Sequence, residues 1–206
     1  MDARLQRRIQ RYGWDLAAVD YESLWQAHLA EAQDALLALA PPAAGERVLD
    51  IACGTGILAD RIERELHPAE VYGIDMSEGM LNQARSRSTK VHWLRGPAER
   101  LPFDDASLDA VVTTSAFHFF DQPAALREFH RVLAPGGLAA VSTLSARQSL
   151  FQGLSSSNWT PAHNPSSGEM RRLFEGAGFT IDEQHRVRRP LWTRAISDLI
   201  TVGIKS

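Results

Sequence analysis

The stretch Val48-Leu49-Asp50-Ile51-Ala52-Cys53-Gly54-Thr55-Gly56 decides the fold of this chain. It opens with a short, mostly apolar run that carries one acid. A turn of small residues then closes on Gly54-Thr55-Gly56, and a helical pattern follows. A buried parallel strand that passes straight into a helix must turn within a few residues. Gly54 and Gly56 permit torsions and close approaches that a Cβ would block. A ligand at such a turn meets bare backbone N–H groups and the positive end of the next helix. The turn therefore predicts a site for something small and anionic or zwitterionic.

Strand and helix patterns alternate outward from this turn. Strands are predicted near 47–51, 70–74, 90–94, 108–114 and 137–143, with helices near 57–67, 77–87 and 122–134. That alternation predicts a doubly wound α/β fold, a mostly parallel sheet covered by helices on both faces. Upstream, residues 2–40 read as helices interrupted near Gly13. Leu24, Ala27, Leu29, Ala32, Leu36, Leu37 and Leu39 form an apolar stripe at helical spacing, closed by Pro41-Pro42. Downstream, residues 145–167 are rich in Ser, Asn and Pro. A helix with a glycine stop follows over 168–178, then strands near 179–187 and 197–204. Pro135-Gly136-Gly137 reads as the turn into the fifth strand. One domain over 1–206 is expected, with a helical segment over 1–44, an alternating core over 45–144 and a tail of different character over 145–206.

With 206 residues, 44% of them apolar and 23% charged, the chain can bury one sizeable core like an ordinary soluble protein. No apolar run reaches the length of a membrane span. The segment holding Arg4, Arg7, Arg8 and Arg11 lacks the apolar centre of a signal peptide. A single cysteine, Cys53, allows no internal disulfide and no cysteine-based metal site, which predicts a cytoplasmic setting. The net charge of −3 gives no general attraction to nucleic acid. Two arginine clusters stand out: the first eleven residues, and Arg186-Val187-Arg188-Arg189 with Arg194. They read first as a solvated helix face and a charged sheet edge. Contact with an anionic substrate or an acidic membrane surface is the less favoured reading.

Gly54, Gly56 and Ala59 also satisfy the dinucleotide pattern G-x-G-x-x-A, with Asp75 standing 21 residues after Gly54 where a ribose-binding acid belongs. NAD is therefore one reading of the turn. Asp50 argues against it, because a phosphate-bearing ligand would meet negative charge at the strand end. S-adenosylmethionine has an ammonium group, a carboxylate and a ribose diol, and carries no phosphate.

VLDIACGTG followed by VYGIDMSEGML resembles the first two motifs of the class I S-adenosylmethionine-dependent methyltransferases. GPAERLPFDDASLDAVVTTSAFHFF and LREFHRVLAPGGLAAVS resemble the later blocks of the small-molecule branch typified by ubiquinone and menaquinone C-methyltransferases. The resemblance spans roughly residues 45–144. It implies a seven-stranded sheet with one antiparallel strand, an N-terminal helical lid, and S-adenosylmethionine as cofactor.

Residue by residue, the resemblance implies that Asp50 approaches the methionine ammonium while Ala52, Gly54 and Gly56 line the turn. Asp75 would accept from both ribose hydroxyls, and Met76 would lie against the adenine. A helix cap is the other reading of Asp75, a task that suits Ser77 better. Relatives usually carry an aspartate at the position of Pro97, so adenine would be held differently here, by the Ala98 N–H and by Glu99. A carbonyl of Thr114 or Ser115 would accept from the ammonium. Phe117, His118 and Phe119 would face the methyl acceptor, with His118 the candidate general base. Tyr21 would close over the cofactor. Tyr12, Trp14, Trp25, Phe151 and Trp159 would add an apolar lid over the acceptor, or else anchor the helices. The function implied is methyl transfer to a small, apolar or aromatic acceptor. The alternatives are methylation of a lipid headgroup, a non-catalytic cofactor-binding partner, and an NAD-linked oxidoreductase. Neither the acceptor nor the oligomeric state follows from the sequence.

Overall fold

The computed structural model describes residues 11–18, 20–146, 163–187 and 196–206. Seven strands occur in chain order: β1 (Arg47–Ile51), β2 (Glu70–Asp75), β3 (His92–Arg95), β4 (Leu108–Thr114), β5 (Leu133–Ala146), β6 (Phe179–Arg186) and β7 (Ile196–Lys205). They form one sheet in the order β3-β2-β1-β4-β5-β7-β6. β1 runs parallel to β2 and β4, β2 to β3, and β4 to β5. β7 is antiparallel to both β5 and β6. This is the mostly parallel seven-stranded sheet with one antiparallel strand that the sequence predicts. Strand order reverses between β1 and β4, and open α/β sheets bind ligands beyond the carboxyl ends of the strands at such a switch point.

The strands are apolar on both faces because helices cover both. Leu49, Val111 and Val141 pack with Leu126 and Phe129 of α5 (Gln122–Val132) and with Met170 and Phe174 of α6 (Ser167–Gly176). Val48, Val112 and Ala140 pack on the opposite face with Leu36 of α2 (Tyr21–Leu39) and with Leu58 and Ile62 of α3 (Ile57–Leu66). Neighbouring residues of one strand thus serve different cores, as the pleat requires. Phe129 and Phe174 are fully buried, and truncating either to alanine would cost about 3–5 kcal/mol. Among the described residues, no helix is long and apolar enough to cross a membrane.

Two expectations are corrected. Residues 11–17 form a continuous helix, α1, that runs through Gly13, and the chain turns instead at Ala18 and Asp20. A glycine costs a helix only about 1 kcal/mol, and α1 is held by contacts to α4 (Glu78–Arg87), described below. Pro135-Gly136-Gly137 is not a turn ahead of β5 but an irregularity within it. Leu133 pairs with Leu108, the register shifts, and pairing resumes at Ala110 with Leu138. Gly136 absorbs the shift at φ +80°, and a Cβ on Gly137 would lie 2.9 Å from the Asp109 carbonyl oxygen. β6 is an edge strand and ends at Arg186, in keeping with a charged sheet edge; Arg188, Arg189 and Arg194 lie outside the described residues.

Candidate functional site

β1 ends at Ile51, and the chain then takes left-handed torsions at Ala52 (φ +53°), Gly54 (φ +55°) and Gly56 (φ +80°) before α3 begins. Gly56 is the residue that precedes α3. A Cβ there would lie 2.5 Å from the Trp93 ring and 3.0 Å from the Ala84 Cβ, so the glycine lets α3 settle against α4 and β3. Ala52 has a Cβ and adopts this conformation at a cost of order 1–3 kcal/mol. Ser115, just past β4, does the same at φ +54°, with its N–H donating to the Ser142 carbonyl at 2.9 Å. Ala52 and Ser115 line the same cleft of about 800 Å³. Two of the four left-handed non-glycine residues among the described ones thus sit where the sheet opens, while His67 and Ala106 lie away from it.

Asp75 ends β2 and is buried. Its Oδ2 accepts from the Gly54 N–H at 2.9 Å, and its Oδ1 from the Ser77 N–H at 2.8 Å. Burial raises its pKa, while the backbone amides of Ser77, Gly54 and Met76 oppose the rise. A carboxylate offers about four acceptor positions, so capacity remains for a ligand hydroxyl. Ser77, not Asp75, caps α4, accepting from the Met80 N–H at 3.1 Å.

Asp50 lies on β1 and is 2% exposed, and its Oδ2 has no hydrogen-bond partner. Burial lifts its pKa well above the ordinary carboxylate value, the charge of Asp75 adds to the rise, and the Ala59 amide opposes it. Asp50 borders a smaller cavity of about 310 Å³ together with Tyr21, Gln33, Ala52, Gly54 and Thr114. A buried, unpartnered carboxylate beside a second buried acid is costly unless a cation joins them. These residues fit a ligand that carries an ammonium group and a diol.

At the other end of the cleft, Met76, Met80, Gly96, Pro97, Ala98 and Glu99 form the wall. Pro97 brings neither a carboxylate nor an N–H to it. Glu99 Oε1 accepts from the Asp121 N–H at 2.9 Å, which fixes the side chain at the start of α5.

The roof is aromatic and comes from α1 and α2. Trp14 makes edge contacts with Tyr21 (centroids 6.1 Å apart) and with Phe119 (5.5 Å), and all three line the cleft. The Tyr21 hydroxyl is pushed up to about 12 by burial and by the Asp75 charge, so it stays a neutral phenol. Asp15 fastens α1 to α4: its Oδ1 accepts from the Ser77 hydroxyl at 2.6 Å and from the Gly79 N–H at 3.1 Å. The Gln83 side-chain amide donates to the Ala18 carbonyl at 2.5 Å, and Glu22 pairs with Arg87.

Of the residues predicted from sequence, Trp14, Tyr21, Ala52, Gly54, Asp75, Met76, Ala98, Glu99, Thr114 and Ser115 line the main cleft, and Asp50 lines its side cavity. Several do not. Phe117 is fully buried in the core beside Leu126, because the short 3₁₀ turn Phe117–Phe119 rotates it inward. His118 is buried too, its Nδ1 3.5 Å from Thr143 Oγ1 and its ring centroid 4.0 Å from that of Phe119. Burial draws the imidazole down to about 4, which keeps it neutral at pH 7. Phe119, of the three expected to face the acceptor, does line the cleft, and Phe120 joins it. Tyr12 and Trp25 stand in solvent, and Gly56 supports the turn from behind. Phe151 and Trp159 lie outside the described residues. Sequence reading missed Gln33 and Asp15. Gln33 is a polar interruption of the α2 apolar stripe, a signal that was available. Asp15 gave none, since its partners are more than sixty residues away.

The methyltransferase domain family matches residues 48–137. The chain is 39% identical over 112 residues to malonyl-[acyl-carrier protein] O-methyltransferase of Serratia marcescens, a match covering 54% of this chain and 43% of that protein. It is 40% identical over 103 residues to phthiotriol/phenolphthiotriol dimycocerosates methyltransferase of Mycobacterium leprae, covering 48% and 38% respectively. Both matches thus span less than half the length of these relatives. Among solved structures, a chain from the Haloferax volcanii complex of the Trm112 methyltransferase activator with a methyltransferase superposes with a TM-score of 0.81 at 24% identity, covering 93% of this chain and 96% of that one. The likeness shows the same fold.

Proposed function

We propose that this chain, which carries a methyltransferase domain at residues 48–137 on the fold of the class I S-adenosylmethionine-dependent enzymes, transfers a methyl group from S-adenosylmethionine to a small apolar or aromatic acceptor. One observation carries the reading. Asp50 Oδ2 is buried without a partner, next to the ribose-competent Asp75 and above a turn of left-handed residues. Dinucleotide phosphates would meet two acids there, whereas an ammonium neutralises them.

When bound, S-adenosylmethionine supplies an activated methyl on a sulfonium that departs as a neutral thioether. This chain's residues hold and align it. Asp50 takes the ammonium together with a carbonyl of Thr114 or Ser115. Asp75 accepts from the ribose hydroxyls at fixed geometry because Gly54 and Ser77 already hold its carboxylate. The Ala98 N–H meets the adenine ring, and Met76 lies against its face. Trp14, Tyr21, Phe119 and Phe120 keep water from the reacting centre. In-line displacement needs alignment more than proton transfer, and His118, off the cleft and neutral, supports Phe119 rather than acting as a base. The aromatic walls favour an apolar acceptor. In this reading residues 1–206 work as one domain, with 1–44 the lid and 145–206 completing the acceptor side.

The test is methyl transfer from isotope-labelled S-adenosylmethionine to a panel of phenols, prenyl and acyl compounds and amines, read by product mass. Labelled product from an apolar acceptor, lost in Asp75→Ala, is expected. Cofactor binding without turnover of any apolar compound, but with turnover of polar amines, would overturn the acceptor class.

A further inference from the structure

The inward face of α2 is apolar, with Leu29, Ala32, Leu36 and Leu37 buried. Gln33 breaks it. The residue is 4% exposed, yet its side-chain amide has no hydrogen-bond partner among the described residues. Buried amides are nearly always bonded. Gln33 instead lines the side cavity of about 310 Å³ that Asp50 borders, where Asp50 Oδ2 is likewise unpartnered. Part of that cavity is the start of α3. The helix begins without a side-chain cap, and Ile57 and Leu58 of its first turn line the cavity, so its positive end borders the space. The Thr55 hydroxyl is engaged by Glu22, and burial keeps the Cys53 thiol protonated, which leaves it a weak donor. The Gln33 amide has two N–H groups to give.

We propose that Gln33 receives the α-carboxylate of S-adenosylmethionine beside the uncapped start of α3, and so makes the site selective for a ligand with an intact amino-acid end. This role rests on the proposed function, in which Asp50 takes the ammonium. Ammonium and carboxylate leave the same carbon, so a ligand whose ammonium meets Asp50 brings its carboxylate into the same cavity. Stripping a carboxylate of water is costly unless donors replace it. Gln33 and the first turn of α3 supply donors without adding a cation. A lysine or arginine at position 33 would itself pair with Asp50 and take the ammonium's place; the neutral amide leaves Asp50 open. Gln33 touches the end of the cofactor remote from the methyl group. It therefore governs affinity and ligand choice, while the displacement depends on the residues of the main cleft.

Calorimetry on wild type and Gln33→Leu compares S-adenosylhomocysteine, its decarboxylated amine S-adenosylthiopropylamine, and methylthioadenosine, which lacks the amino-acid end altogether. The wild type should bind S-adenosylhomocysteine about tenfold or more tightly than the decarboxylated amine. Gln33→Leu continues the apolar face of α2 and should keep at least the wild-type thermal midpoint. It should lose about tenfold or more in affinity for S-adenosylhomocysteine while binding the amine and methylthioadenosine as the wild type does. Equal loss of all three ligands in Gln33→Leu would make the residue a packing support and overturn the proposal. So would unchanged binding of S-adenosylhomocysteine, or a wild type that binds the decarboxylated amine as tightly. Those results leave the cofactor reading intact, because S-adenosylhomocysteine still binds the wild type. A wild type that binds neither S-adenosylhomocysteine nor methylthioadenosine would sink the proposed function and the role of Gln33 together.

Discussion

Asp50→Asn should make the ligand-free protein more stable and the ligand-bound protein less so. Asp50 is 2% exposed, and its Oδ2 is without a partner. An unsatisfied buried polar group costs about 1–3 kcal/mol. The neutral isostere relieves part of that cost and all of the repulsion from Asp75, so a gain of about 1–2 kcal/mol is expected. For a chain of this size that raises the thermal midpoint by about 2–4 °C per kcal/mol. The pH dependence has a definite sign. Folding raises the pKa of Asp50, so its contribution to stability is complete below the ordinary value of 3.8 and is lost as pH rises through the raised folded value. The stability gap between Asp50→Asn and wild type should therefore open as pH rises from 4 towards neutrality. Binding runs the other way. A charge-assisted hydrogen bond is worth about 1.5–3 kcal/mol, so S-adenosylhomocysteine should bind about 10- to 150-fold more weakly to the variant. Urea denaturation across this pH range gives the first quantity and calorimetry the second. A variant that is less stable at pH 7 and binds the ligand like wild type would refute the reasoning.

Asp15→Ala removes the acceptor of the Ser77 hydroxyl and the Gly79 N–H; it should cost about 1 kcal/mol, weaken S-adenosylhomocysteine binding several-fold, and speed proteolysis at residues 18–20. The Asp15 pKa is lowered by these hydrogen bonds, although burial opposes them, so the latch holds above pH 3.8 and is lost as pH falls through its lower folded value. Gly56→Ala sets a Cβ 2.5 Å from the Trp93 ring at φ +80°. Left-handed strain of about 1–2 kcal/mol adds to overpacking of about 1–3 kcal/mol, to be seen as a lowered urea midpoint. For His118, with its pKa drawn down to about 4, stability is present above 6.5 and lost as pH falls from 6.5 to about 4; NMR titration should find the ring neutral at pH 6.

The fold was legible because the Val48–Gly56 turn and the alternation after it admit few topologies, and the apolar strands, buried on both faces, announce themselves. The strand-end side of the cleft was legible for the same reason: Asp50, Gly54 and Asp75 lie at or just past strand ends, where chain position fixes spatial position. Past β4 that logic fails. Phe117, His118, Phe119 and Phe120 are chemically alike neighbours, and the phase of one 3₁₀ turn decides which of them reach the cleft. The helical lid was correct in kind but not in detail. Spacing marks Tyr12 and Trp14 equally, and only the tertiary grip of Asp15 turns one inward and leaves the other in water.

Calorimetric titration with S-adenosylhomocysteine and with NAD, on wild type and on Asp75→Ala, tests the central claim most directly. The account predicts micromolar binding of S-adenosylhomocysteine to the wild type, its loss in Asp75→Ala, and no heat from NAD. Binding of NAD, or equal binding of S-adenosylhomocysteine to both proteins, would contradict it.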